Sequence, residues 1–170
     1  MDFKEIDNIV LVIGKTEGHI DQSLLSRIIL NEKNGPPPEI NLFNEKNNGL
    51  TLLNLIEKKF IKSAHDISLG GIITAISKMC IKGNKGVKLI KPKSLINVIE
   101  YFFSEDQGRY LVEIKPENFK EVVKILDKNS VHYDEIGKII DKEMIVDYKT
   151  KLTIDELRSY NTNWLSEFMV

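Results

Sequence analysis

The hydrophobic pattern begins with a continuous apolar run, Asn8 to Gly14 (NIVLVIG), closed by a glycine. An unbroken run of this length, rich in β-branched residues, predicts a buried strand. After a polar loop comes a second apolar stretch, Ser23 to Leu30 (SLLSRIIL), whose element type the pattern leaves open. Asn34-Gly35-Pro36-Pro37-Pro38 then interrupts regular structure, because three prolines exclude both a helix interior and a sheet ladder. Composition does not shift across it, so it reads as a rigid connector inside one domain. Beyond it Ile40, Phe43, Asn47, Leu50, Leu53 and Ile56 recur at helical spacing and predict one long amphipathic helix to about Phe60.

The second half alternates more quickly. Ile61 to Ile67 reads as a strand, Ser68-Leu69-Gly70-Gly71 as its exit turn, and Ile72 to Cys80 as a helix. A turn at Asn84 to Gly86 leads into a short strand, Val87 to Ile90. Pro92 suits the start of a helix whose stripe is Leu95, Val98, Ile99 and Phe102. Ser104 to Gly108 is a polar turn before the alternating strand Arg109 to Ile114. Pro116 opens a helix carrying Phe119, Val122, Val123 and Leu126. Two β-like stretches, Tyr133 to Ile140 and Met144 to Tyr148, precede a C-terminal helical segment with Leu157, Trp164, Leu165 and Phe168. Strands and helices mix without strict alternation. The expected fold class is α+β, one mixed sheet covered by helices, with residues 1–170 forming a single domain.

Composition narrows the function classes. With 170 residues, 42% hydrophobic and 29% charged, the chain is an ordinary globular composition with room for one real core. A net charge of -1 gives no electrostatic case for nucleic acid or an anionic membrane surface. No apolar run reaches the length of a membrane span, and the first residues do not read as a signal peptide. One cysteine, Cys80, excludes an internal disulfide framework and fits a reducing cytoplasm; with three scattered histidines it makes a structural zinc site improbable.

Two short segments hold the candidate chemistry. In Ser63-Ala64-His65-Asp66-Ile67-Ser68-Leu69-Gly70-Gly71, a strand end delivers His65 and Asp66 to the rim of the sheet. Ser68 can cap the next helix, while Gly70 and Gly71 admit a ligand or a neighbouring backbone. Unpaired N–H groups at such a helix start suit an anion such as phosphate. In Phe103-Ser104-Glu105-Asp106-Gln107-Gly108-Arg109, the arginine could hold a phosphate or carboxylate bidentately, and Glu105 could hold that arginine or a metal. Taken alone, each segment is better read as structural: a capped strand–helix turn, and a solvated turn with a surface ion pair. Gly14-Lys15-Thr16-Glu17-Gly18 lacks the GxxxxGK[ST] spacing of a P-loop. His19 and His132 read as surface residues and Cys80 as inert core. Trp164 reads as packing the last helix down.

In order and at this separation, these segments resemble the last domain of the phosphoribosylformylglycinamidine synthases. The matching features are the strand Ile9 to Gly14, the Gly-Pro-Pro connector into a long helix, Lys62 to Gly71, Phe103 to Val112, and the Ile136-Gly137 strand. The resemblance implies the C-terminal fold of the aminoimidazole ribonucleotide synthetase superfamily. It also implies a part in an ATP-dependent ligase that turns formylglycinamide ribonucleotide into the amidine with glutamine-derived ammonia. ATP and Mg would serve the full-length enzyme, with neither expected to be tightly bound to this domain. Expected partners are the upstream domains of the same synthetase and a glutaminase subunit or domain. His65, Asp66, Ser68, Gly70, Gly71, Glu105, Gln107 and Arg109 are placed on a cleft wall or anion site, none as a catalytic group. The chain departs from the family at Leu69, where aspartate is usual, and at Gly18 to Ser23, where a Gly-Gly-Ser-type loop is usual. The alternatives are a domain of another ATP-dependent synthetase or kinase of that superfamily, and a free-standing binding module. The two polar turns are expected side by side at one end of the sheet.

Overall fold

A computed structural model of the chain describes residues 1–94 and 96–169, apart from the side chains of residues 164–167. Seven strands form one sheet: β1 (Ile9–Ile13), β2 (Ile61–Asp66), β3 (Gly86–Leu89), β4 (Tyr110–Ile114), β5 (Tyr133–Ile140), β6 (Glu143–Val146) and β7 (Thr150–Thr153). Their order is β2-β4-β1-β5-β3-β6-β7, antiparallel throughout except for the β3–β6 pair. Five α-helices cover it: α1 (Leu42–Glu57), α2 (Gly71–Gly83), α3 (Val98–Phe103), α4 (Phe119–Lys128) and α5 (Ile154–Phe168). This is the α+β architecture with a mixed sheet that the pattern predicts.

The apolar run of β1 explains the layering. All five of its residues are buried, and their side chains alternate between the two faces. Val10 and Val12 join the core under α2, α3 and α5, with Ile72, Ile76, Met79 and Phe102. Ile9, Leu11 and Ile13 join a second core with Leu52 and Leu55 of α1 and Val122 and Leu126 of α4. A strand read from both sides cannot spare a polar position. The Ile136-Gly137 pair in β5 has its own steric cause, since a Cβ at Gly137 would collide with the Lys88 carbonyl on β3.

One buried carboxylate ties the N-terminal segment to the sheet. Glu113 on β4 is fully enclosed and accepts from the backbone N–H of Lys4 (2.9 Å) and Glu5 (3.0 Å), from Asn8 Nδ2 (2.7 Å) and from Ser63 Oγ (2.8 Å). Four donors satisfy a charge that burial would otherwise make costly.

Three expectations need correction. The stripe that predicts α1 is its outer face: Phe43, Leu50, Leu53 and Ile56 are exposed, while Asn48, Thr51, Leu52 and Leu55 are buried. The inward face is set by tertiary hydrogen bonds, from Asn48 Nδ2 to the Gly108 carbonyl (2.9 Å) and from Asn47 Nδ2 to that of Asn129 (2.8 Å). Ile40 lies before the helix, which Asn41 caps through its side chain to Asn44 N. The helix expected from Pro92 begins only at Val98, because Asn97 and Glu100 form a reciprocal capping box; Leu95 lies outside the described residues. The stretch Met144 to Tyr148 ends at Val146 in a turn with left-handed Asp147 and Tyr148, and β7 follows it. Residues 25–29, left open above, form one π turn, and Trp164 falls among the side chains not described.

The helix register is directly testable. Leu52→Ala should cost about 2–5 kcal/mol, the range for a buried leucine, and Leu53→Ala no more than about 0.5 kcal/mol. Urea unfolding of both variants measures the difference, and equal losses would restore the outer stripe to the core.

Candidate functional site

The two polar turns do meet. β2 and β4 are neighbours with Asp66 opposite Tyr110, and Ile67 N donates to the Arg109 carbonyl at 3.0 Å. Residues 67–71, leaving β2, and 104–109, entering β4, therefore share one end of the sheet. Gly71 permits the contact: its φ is +68°, and a Cβ there would stand 2.5 Å from the Ser104 carbonyl oxygen.

The acids of the second turn occupy the anion-receptive backbone of its neighbours. One oxygen of Glu105 accepts from Gly70 N and Leu24 N, both at 2.8 Å. Asp106 accepts from three successive backbone amides, Glu17 (3.0 Å), Gly18 (3.1 Å) and His19 (3.2 Å). Residues 17–19 thus form an anion-binding nest, and the anion is the chain's own carboxylate. Ser68 does not cap α2 as expected. The cap position is Gly70, without a side-chain cap, and Glu105 supplies the acceptor there from the other turn.

Arg109 is the largest correction. Expected on a cleft wall, it is 1% exposed and spent internally. Its Nε donates to the Asp106 carbonyl (3.0 Å), one terminal nitrogen to Thr16 Oγ1 (3.0 Å) and Ser104 Oγ (3.3 Å), and the other to the Ser104 carbonyl (2.7 Å). The Asp106 carboxylate stands 3.6 Å away. Burial pulls the guanidinium's pKa down, while the Asp106 charge opposes that shift. Four of its five N–H donors have partners inside the domain, so the group is committed to holding its surroundings.

An open polar cleft of about 930 Å³ lies beside this hub, lined by residues including Lys15, His19, Glu45, Asn48, Gln107 and His132. Of the eight expected site residues only Gln107 lines it. His65, Asp66 and Ser68 do not line it; the Asp66 side chain is 66% exposed, and His65 Nδ1 lies 2.6 Å from the Asp66 carbonyl oxygen. His19 and His132, read as plain surface residues, belong to the cleft. His19 Nε2 sits 3.0 Å from the Pro36 carbonyl and so ties the loop to the proline connector. His132 Nε2 is 3.6 Å from Asp134, which also accepts from the buried Tyr101 hydroxyl at 2.8 Å. The Asp134 partner raises the His132 pKa, against burial and the Lys15 charge. For Asp134, burial works upward, but the His132 and Tyr101 bonds outweigh it and leave the carboxyl lowered. Cys80 is core as expected, its thiol pushed up to about 12 by burial. Among the described residues no group of three or more His, Cys, Asp or Glu could hold a metal ion.

A family model, the C-terminal domain of AIR synthase related proteins, matches residues 5–149. The chain belongs to this family. It is 66% identical over 169 residues to the phosphoribosylformylglycinamidine synthase subunit PurL of Pelagibacter ubique, covering 99% of this chain and 23% of that protein. PurL of Bartonella henselae is 36% identical over 163 residues, covering 96% of this chain and 22% of that one. The chain thus spans under a quarter of the length of these curated relatives. The structure of PurLQS from Thermotoga maritima superposes with a TM-score of 0.73 at 20% identity, over 92% of this chain and 27% of that one. T. maritima PurL complexed with FGAR gives 0.75 at 19% identity, over 92% and 28%. At such identity these two show the shared AIR-synthase-type fold.

Two measurements probe the site. Arg109→Ala should destabilise the domain by about 3–5 kcal/mol, as for a buried ion stripped of its partner. A milder Arg109→Lys variant should shift the Glu17, Gly18 and His19 amide resonances, because lysine lacks the planar fork. Unmoved amides would separate Arg109 from that loop. His132 contributes stability that is present below its unfolded pKa near 6.5 and lost as pH rises through its raised folded value. Asp134→Asn keeps an acceptor for Tyr101 but removes the charge. The His132 NMR titration should then move to lower pH, and an unchanged midpoint would dissolve the pair.

Proposed function

We propose that this chain is the C-terminal domain of a phosphoribosylformylglycinamidine synthase. That enzyme is an ATP-dependent ligase of purine biosynthesis, which uses glutamine-derived ammonia to convert formylglycinamide ribonucleotide into the amidine. The observation that carries the reading is the 66% identity running over 99% of this chain and only 23% of the relative. The superfamily rival, a domain of some other synthetase or kinase, is less well supported, because the relatives at 66% and 36% identity are both subunits of that synthase.

The domain's own task is to form one wall of a cleft. The hub around Arg109 fixes residues 16–19, 24 and 70–71 in one rigid unit, and the cleft beside it presents Gln107, Asn48 and His132. ATP enters through the relatives, since T. maritima PurL has been crystallised with ATP, ADP and AMPPCP. Both backbone anion nests are filled by Glu105 and Asp106, and no acid cluster of ligand size exists among the described residues. Phosphoryl transfer needs positioned metal ions and phosphate-binding groups, so the upstream domains of the same synthetase would supply them and a glutaminase subunit or domain the ammonia. A cytoplasmic location follows from that pathway.

The isolated chain should show no turnover with ATP, magnesium, ammonia and formylglycinamide ribonucleotide in a coupled ADP-release assay. Turnover comparable to a complete synthase would overturn the proposed role as one wall of a larger enzyme.

A further inference from the structure

The outer face of α1 is out of keeping with a helix that ends at solvent. Leu42, Phe43, Leu50, Leu53 and Ile56 are 75%, 77%, 57%, 55% and 43% exposed. They lie within one arc of the helix, opposite the buried Asn48, Thr51, Leu52 and Leu55. Single exposed leucines are ordinary, but a contiguous apolar patch on a regular element marks an interaction surface. Two further observations bear on what covers it. The patch runs into the cleft, because Ile40 and Leu42, at the start of α1, also line the cavity. The curated relatives are more than four times longer than this chain, so most of such a protein lies beyond the residues matched here.

We infer that the outer face of α1 is an intramolecular docking surface, covered by an apolar face of a preceding domain of the same longer polypeptide, which at the same place closes the cleft. The inference rests on the proposed membership of a larger synthase. A body large enough to roof the cleft at Ile40 and Leu42 meets the α1 stripe along the same edge. Its contact face must be apolar, since the stripe offers few polar partners beyond Lys46 and Glu57. A second copy of this chain would cover the stripe without closing the cleft, and would make the chain self-associate.

The test is thiol labelling resolved by peptide mass spectrometry. The native cysteine, Cys80, is buried and does not compete. Leu53→Cys reports the stripe, and Asp155→Cys, on an exposed turn of α5, serves as control. In the 170-residue chain both should react quickly with maleimide. In the intact polypeptide Leu53→Cys should slow at least tenfold while Asp155→Cys keeps its rate. Equal Leu53→Cys rates in the two contexts would overturn the docking surface. Slow labelling of Leu53→Cys in the short chain that quickens on dilution would overturn it too, in favour of a dimer. A reading frame that encodes no longer polypeptide would instead remove the larger synthase itself, before any labelling. As a second measurement, Leu50→Glu combined with Leu53→Glu should leave the short chain's melting temperature within a few degrees, and a collapse would mean the stripe is core.

Discussion

The end of the sheet where the two turns meet is organised by one buried cation. Arg109 joins its own turn, at Ser104 and Asp106, to the loop at Thr16, 93 residues away in sequence. A guanidinium enclosed to this degree is tolerated only when its donors are met with good geometry, since desolvation costs several kcal/mol before any pairing. That demand fixes the conformation of 104–109. The fixed turn in turn aims Glu105 at Leu24 and Gly70, and Asp106 at residues 17–19.

This arrangement changes what the motif residues mean. Glycine-rich turns and helix starts present backbone N–H groups that bind anions, and the sequence offers two such places. Both are filled by carboxylates of the same chain. The geometry that could have held a phosphate instead fastens three loops together. A motif can therefore match a family while serving in this chain to hold loops together.

β1, β3 and β4 were legible because they are short, rich in apolar residues and flanked by glycine or proline, and β1 showed its two-sided burial as an unbroken run. The meeting of the two turns followed from chain order, since β2 and β4 had room to pair. The roles within them did not. Whether an arginine at a turn faces outward or inward depends on acceptors supplied by Thr16, 93 residues away in sequence, and no local spacing encodes that. His19 and His132 are surface positions as expected, but their place on one cleft was not legible, because that cleft is also lined by the proline connector and the start of α1, elements remote from both. The start of α3 was a local signal overlooked in favour of Pro92: Asn97 and Glu100 stand at capping-box spacing.

The reversal of α1 has a different origin. Pattern reading takes the richer apolar stripe of a helix for its core face, a fair inference when a helix has one partner. Here the inward face is held by Asn47 and Asn48 to carbonyls of 129 and 108, with Leu52 and Leu55 providing its apolar contact. Polar groups can face inward when each is paired, because the cost of burial is then met by the bond. The outward face is the more apolar of the two. The periodicity therefore recorded the outer stripe, while the inward face was hidden by its asparagines. The error in register is thus itself information about the molecule, and the exposed stripe it points to is the observation on which the proposed docking surface rests.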